Sequence, residues 1–175
     1  MYNYDPYEFL APVPKFTLTS GSFADGDAMP PAQVNPGAHA DGKDRSPALK
    51  WSGFPAETKS FAITMFDPDA PTASGWWHWS VANVPVQVTE LSEGAGSGPA
   101  TMPTGALLLR NDAGTSAYMG SAPPPGHGPH RYMVVVHAVD IPTLDLNADS
   151  TPAALGFNLA FHTLARARIT ATFEV

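Results

Sequence analysis

The sequence predicts an all-β fold: an antiparallel β-sandwich with long loops rich in proline and glycine and one or two short helices. The 19 prolines and 15 glycines are spread along the 175 residues rather than clustered. They bracket short segments of β character, whose number and spacing suit a sandwich. The end of the chain also alternates cleanly. Ile169, Ala171, Phe173 and Val175 fall on one face and Thr170, Thr172 and Glu174 on the other, which is the pattern of a half-buried strand pairing to the chain end.

The elements follow in order. Residues 1–14 form an N-terminal extension to a single domain spanning 1–175, a length that buries a proper core without staples. Strands are predicted over 16–20, 48–52, 60–66, 79–83, 105–109, 131–139 and 169–175. The stretches 25–47 and 92–104, rich in turn residues, are predicted as surface loops. Residues 151–166 read as a helix: Ser150 or Thr151 can cap it, Pro152 suits its first turn, and Leu155, Leu159 and His162 recur at helical spacing. Arg166 and Arg168 would then sit at its partly negative C-terminal end.

Composition excludes several functions. A net charge of -7, with only 14% of residues charged, leaves no basic face to neutralise a nucleic-acid backbone. The absence of cysteine removes disulfides, thiolate nucleophiles and Cys-type zinc sites together. Any chemistry falls to His, Asp, Glu, Ser or Tyr. The first residues lack a basic and an apolar leader region, and no apolar run approaches the ~20 residues that span a bilayer. A soluble cytoplasmic protein without stable membrane insertion is expected.

Two segments carry the chemistry. In Gly120-Ser-Ala-Pro-Pro-Pro-Gly-His-Gly-Pro-His-Arg-Tyr132, a stiff turn runs into an apolar strand. Prolines lock φ, while Gly126 and Gly128 allow positive φ and close approach of a ligand to the backbone. His130 and Tyr132 share a face with Val134 and Val136, so imidazole and phenol point the same way. In the other segment, Phe61 to Trp79, a buried strand delivers Asp67 to a sheet end where Pro68 and Pro71 stop pairing. Taken alone, Asp67 and Asp69 also read as turn formers. His78, placed by alternation on the face of Ser80 and Ala82, also reads as a core or edge residue. Arg131 reads as the ion-pair partner of Asp69 or Asp67, His137 and His162 as structural, His39 as solvated, and Trp76 as core or pocket wall.

Asp67-Pro-Asp-Ala-Pro71 with His78, together with the 120–132 segment, resembles the two signature regions of the phosphatidylethanolamine-binding protein family, in its bacterial and archaeal Raf kinase inhibitor-like branch. Ser46-Pro-Ala-Leu-Lys-Trp51 and Ala82-Asn-Val-Pro85 are similar to it as well. The resemblance implies two antiparallel sheets with a small anion-accepting pocket at one end. Asp67, His78 and His130 would line its floor, with Pro71, Trp76, Ala122, Pro123 and Pro124 around them, Tyr132 beside them and Asp69 at the rim or behind the lining residues. Animal members end in a further helix that partly covers the pocket, so a chain stopping at Val175 implies a more open one. His127, where animal members lack histidine, is either a branch-specific pocket feature or an exposed loop residue.

The resemblance also implies a ligand such as phosphate, sulfate, a phosphoethanolamine-like head group or a carboxylate, with no cofactor and no enzymatic activity. Asp67 would repel a dianion unless it orients a cationic histidine or meets the ammonium of a zwitterionic head group. Two imidazoles and a carboxylate also have the donor count for Zn or Fe(II), or for acid–base work, so a hydrolase or metal enzyme using Asp67, His78 and His130 is the alternative. Homodimers, and kinase or protease partners, are further family implications.

Overall fold

Two antiparallel sheets are stacked face to face in the computed structural model, which describes residues 4–175. The smaller sheet contains β1 (Thr17–Ser20), β2 (Leu49–Ser52) and β5 (Glu90–Leu91), in the order β1-β2-β5. The larger contains β3 (Ser60–Asp67), β4 (Trp76–Pro85), β6 (Leu107–Leu108), β7 (His130–Val139) and β8 (Thr163–Phe173), in the order β6-β4-β3-β7-β8. Every predicted strand is present with shifted ends. Glu90–Leu91 is an added one, too short to show a pattern in sequence.

The sheets meet through the alternating positions. Leu18, Leu49, Trp51 and Leu91 of the smaller sheet pack on Phe61, Ile63, Met65, Trp79, Val81, Val134 and Val136 of the larger. On the opposite face, Ala62, Ala82 and Val139 meet Leu155 and Leu159 of α1 (Pro152–His162). β3 is therefore buried throughout, which explains its nearly unbroken apolar run.

β4 carries two register shifts. Met65 pairs with Trp79 but Phe66 pairs with Trp77, so His78 is an extra residue in the ladder. Such a bulge puts two successive side chains on nearly the same side. His78 accordingly stacks edge-on against Tyr132, which faces the sandwich core, and does not share the face of Ser80 and Ala82 as strict alternation predicts. The second shift leaves Asn83 at φ 57, a conformation asparagine tolerates, and its Oδ1 accepts the Leu144 N–H at 2.8 Å.

The helix ends at His162, short of the predicted 166. Its start is as expected, with the Thr151 hydroxyl accepting the Ala154 N–H at 3.1 Å and Pro152 in the first turn. Thr163 is already extended (φ -80, ψ 115), and the chain enters β8 with no intervening loop. Ala165, Ala167, Ile169 and Ala171 face the core, so Arg166 and Arg168 lie on the outer face of a strand rather than at a helix end. Arg168 there pairs with Asp5 at 2.6 Å. The strand stops at Phe173, and Val175 is exposed instead of paired. On its far side, β8 bonds irregular chain: Arg166 N–H to Pro14, Phe16 N–H to Arg166, Gly26 N–H to Thr170, Thr172 N–H to Asp27 and Met29 N–H to Thr172.

The 25–47 stretch is not simply a surface loop. Gln33, Val34 and Ser46 are buried. The Tyr118 hydroxyl donates to the Gln33 carbonyl (2.8 Å), the Gly120 N–H to Asp44 Oδ1 (2.7 Å) and the Asn35 N–H to the Ser121 carbonyl (3.1 Å). These bonds brace the segment that leads into the proline turn. The described part of the N-terminal extension forms a 3-10 turn, Pro6–Phe9, capped by Asp5, whose Oδ1 accepts the Tyr7 N–H.

Candidate functional site

β3 and β7 end side by side, and that end of the sandwich brings Asp67 and His130 together. His130 Nδ1 lies 2.7 Å from Asp67 Oδ2, with both side chains buried. Asp67 Oδ1 in turn accepts the Asp69 N–H at 2.8 Å, an Asx-type bond that fixes the turn. The other His130 nitrogen, Nε2, is 2.7 Å from His127 Nδ1. Asp67, His130 and His127 thus form one hydrogen-bonded chain from the interior to an exposed loop. Gly126 (φ 73) and Gly128 (φ 85) adopt the left-handed conformation on either side of His127, and the Gly126 N–H bonds the Val175 carbonyl. His127 is thus an exposed loop residue, as one of its two readings has it, and one that bonds the buried His130.

Asp69 is committed elsewhere. Its Oδ2 accepts Arg131 N–H (2.9 Å) and Nε–H (2.7 Å), and its Oδ1 accepts an Nη2–H (2.8 Å). The ion-pair reading of Arg131 therefore holds with Asp69 as partner. Trp76 is half-buried opposite Asp67 across the β3–β4 ladder. Ala122 is half-buried and Pro123 buried, whereas Pro71 and Pro124 are exposed. Tyr132 is wholly buried, with its hydroxyl beside the buried Ser121 hydroxyl and the Ala122 backbone. Ser121 stands inside the motif, but serine next to glycine carries no signal of its own. Asp44, which orients Gly120, lies far off in sequence.

The electrostatics differ from one group to the next. Burial raises the Asp67 carboxyl above its ordinary range, against the pull of His130. Burial would raise Asp69 too, but the Arg131 bonds bring it below the usual range. Burial pushes His78 down to about 4 despite its hydrogen bond with the Met119 carbonyl, so it is neutral near pH 7. Its Nδ1, 3.0 Å from that carbonyl, is the donor, which leaves Nε2 as an acceptor. Burial and then Asp67 push the Tyr132 phenol up. A metal set is not assembled: among the described residues no three His, Cys, Asp or Glu side chains are placed to hold an ion, and both His130 nitrogens are already hydrogen-bonded.

Acid sensitivity follows. His78 is held down to about 4 and His137 to about 3 by burial. Both folded values lie below the unfolded value near 6.5. Their stabilisation is thus fully present above about pH 6.5 and is lost as pH falls toward 4, at a slope approaching roughly 1.4 kcal/mol per pH unit for each histidine. Asp67, with a raised folded value, works in the opposite sense. Urea unfolding at pH 7, 6 and 5 should show falling stability, and a His78→Gln/His137→Gln variant a flatter profile. An unchanged midpoint across that range would contradict the assignment of two buried neutral imidazoles.

Similarity to known proteins agrees with this fold. UPF0098 protein YbhB of Escherichia coli (strain K12) is 49% identical over 157 residues, covering 90% of this chain and 99% of that protein. UPF0098 protein YbcL of the same strain is 41% identical over 168 residues, covering 95% and 92%. The crystal structure of E. coli YbcL, described as a new member of the mammalian PEBP family, superposes with a TM-score of 0.88 at 41% identity, over 92% of this chain and 99% of that one. That of CT736, a phosphatidylethanolamine-binding protein homologue from Chlamydia trachomatis, gives 0.76 at 29% identity, over 92% and 98%. Residues 19–174 match the family description itself, and the chain belongs to the phosphatidylethanolamine-binding protein family.

Proposed function

We propose that this protein binds a small phospho-anion, free or as a head group, at the end of the sandwich where the Asp67–His130–His127 chain reaches the surface. That chain is the observation that carries the reading. Asp67 accepts from His130 Nδ1 and fixes its ring, so a proton taken up by the imidazole pair is held toward His127 and solvent. The carboxylate therefore serves as orienter and counter-charge, not as a ligand for the anion. His78, neutral and with Nε2 as acceptor, offers a bond to a protonated phosphate oxygen or an ammonium rather than a positive charge.

Calorimetric titration with inorganic phosphate tests this. His127→Ala should weaken binding by about tenfold or more, the scale of one charge-assisted hydrogen bond, and His130→Ala should weaken it because His127 loses the ring that holds it. Undiminished affinity in both variants would remove the reading. Phosphoethanolamine titrated in parallel separates a head-group site, where it binds more tightly than phosphate, from a general anion site. Binding without catalysis is favoured because His130 Nε2, the nitrogen a nucleophile or water would need, is occupied by His127. Self-association and kinase or protease partners rest on family likeness alone.

A further inference from the structure

On the opposite face of the larger sheet, residues 6–13 and α1 enclose a cavity of about 440 Å³, within the range of small-molecule sites. It is distinct from the Asp67–His130 end: its floor is Thr64, Phe66, Trp77, His137 and Arg166, on the outer sides of the strands. We infer that this cavity is a binding site for a small apolar carboxylate, with its head on Arg166 and its body along Phe66, Trp77 and Leu159.

The polar groups define the head. Arg166 makes no ion pair among the described residues; its guanidinium bonds the Ala11 carbonyl, and its Nε, closed off from solvent, has no partner. The Thr64 and Tyr7 hydroxyls are closed off from solvent and lie within reach of each other. An uncompensated cation is costly beside an apolar wall, and a carboxylate set on the guanidinium supplies the missing charge. A cationic ligand is disfavoured by Arg166, and the neighbouring imidazole adds no charge, since burial keeps His137 neutral.

The helix defines the body. Gly156 sits in the middle of α1, where glycine costs roughly 1 kcal/mol relative to alanine. Packing does not require it, because an added Cβ would meet nothing within 4 Å. Gly156 and Ala160 line the cavity, and the missing side chain keeps it open. At the mouth, Phe9 is 77% exposed, the setting in which an apolar chain enters.

Decanoate is the probe and decanol its neutral control. Calorimetry on the full chain should show decanoate binding about tenfold or more tightly than decanol. Arg166→Gln should bring decanoate to the level of decanol. Gly156→Leu should abolish binding of both, with an unfolding temperature equal to or above that of the parent, since leucine is the better helix former. Phosphate should neither displace decanoate nor lose affinity in Gly156→Leu, which separates this site from the histidine site. Absence of decanoate binding at millimolar concentration, equal affinity for decanol, or undiminished binding by Gly156→Leu would each overturn the inference.

Discussion

Asp69→Ala is expected to destabilise the protein by about 2–4 kcal/mol, somewhat under the range for breaking a fully buried ion pair, because Arg131 keeps 17% of its side chain exposed. The carboxylate holds the Arg131 backbone N–H and two guanidinium donors, and all three lose their acceptor together. Arg131 follows His130 directly, so the same pair clamps the end of β3 to the start of β7 and aligns Asp67 with His130. Phosphate binding should weaken along with stability. Because Asp69 is held below its unfolded value, the stabilisation is complete above about pH 4 and lost only as pH falls through the lower folded value. The cost of Asp69→Ala should therefore be the same at pH 6 and pH 8, read as a shift in urea midpoint with unchanged slope. A loss under about 1 kcal/mol would place the pair among ordinary surface bridges.

Gly120→Ala should be comparably damaging for a steric reason. A Cβ there would lie 2.4 Å from Asn35 N and from the Val34 carbonyl carbon, and 2.7 Å from the Gln33 oxygen. These are backbone atoms, pinned by the bonds from Tyr118, Gly120 and Asn35 across the two loops, so no side chain can rotate away. A cost of about 3 kcal/mol is expected, at the upper end for overpacking, together with loss of phosphate binding as Met119 and Ser121 are displaced. Gly126→Ala is the control. Nothing lies within 4 Å of its Cβ position, and only its positive φ is penalised, by roughly 1–2 kcal/mol. If the two variants unfold alike, the contact between the loops yields more easily than the geometry implies.

β3 and β7 are legible in the sequence because each alternates without interruption between core and outer face, and Asp67 and His130 stand at their ends where alternation still holds. His78 is not legible in the same way. Trp76-Trp-His-Trp79 contains no glycine or other mark of an extra residue, and only pairing with β3 shows the bulge. The start of β8 is masked by the helical spacing of Leu155, Leu159 and His162, which makes Arg166 and Arg168 look like cations at a helix end. Once Thr163 turns the chain extended, the alternation of small core residues with arginines begins. His127 bonds His130 across a turn of three residues, a contact that depends on two left-handed glycines. The brace from residues 33–44 joins segments more than seventy residues apart, beyond any local pattern.

The cover that residues 14–16 and 25–29 lay along the far side of β8 bears on how copies of this chain can associate. A bare sheet margin offers a ready template for another strand, the usual route to domain swapping and fibres. Here that margin is occupied by irregular segments that cannot propagate a ladder, and the opposite margin, β6, is two residues long. Extension of the larger sheet from one molecule into the next is therefore opposed at both of its margins.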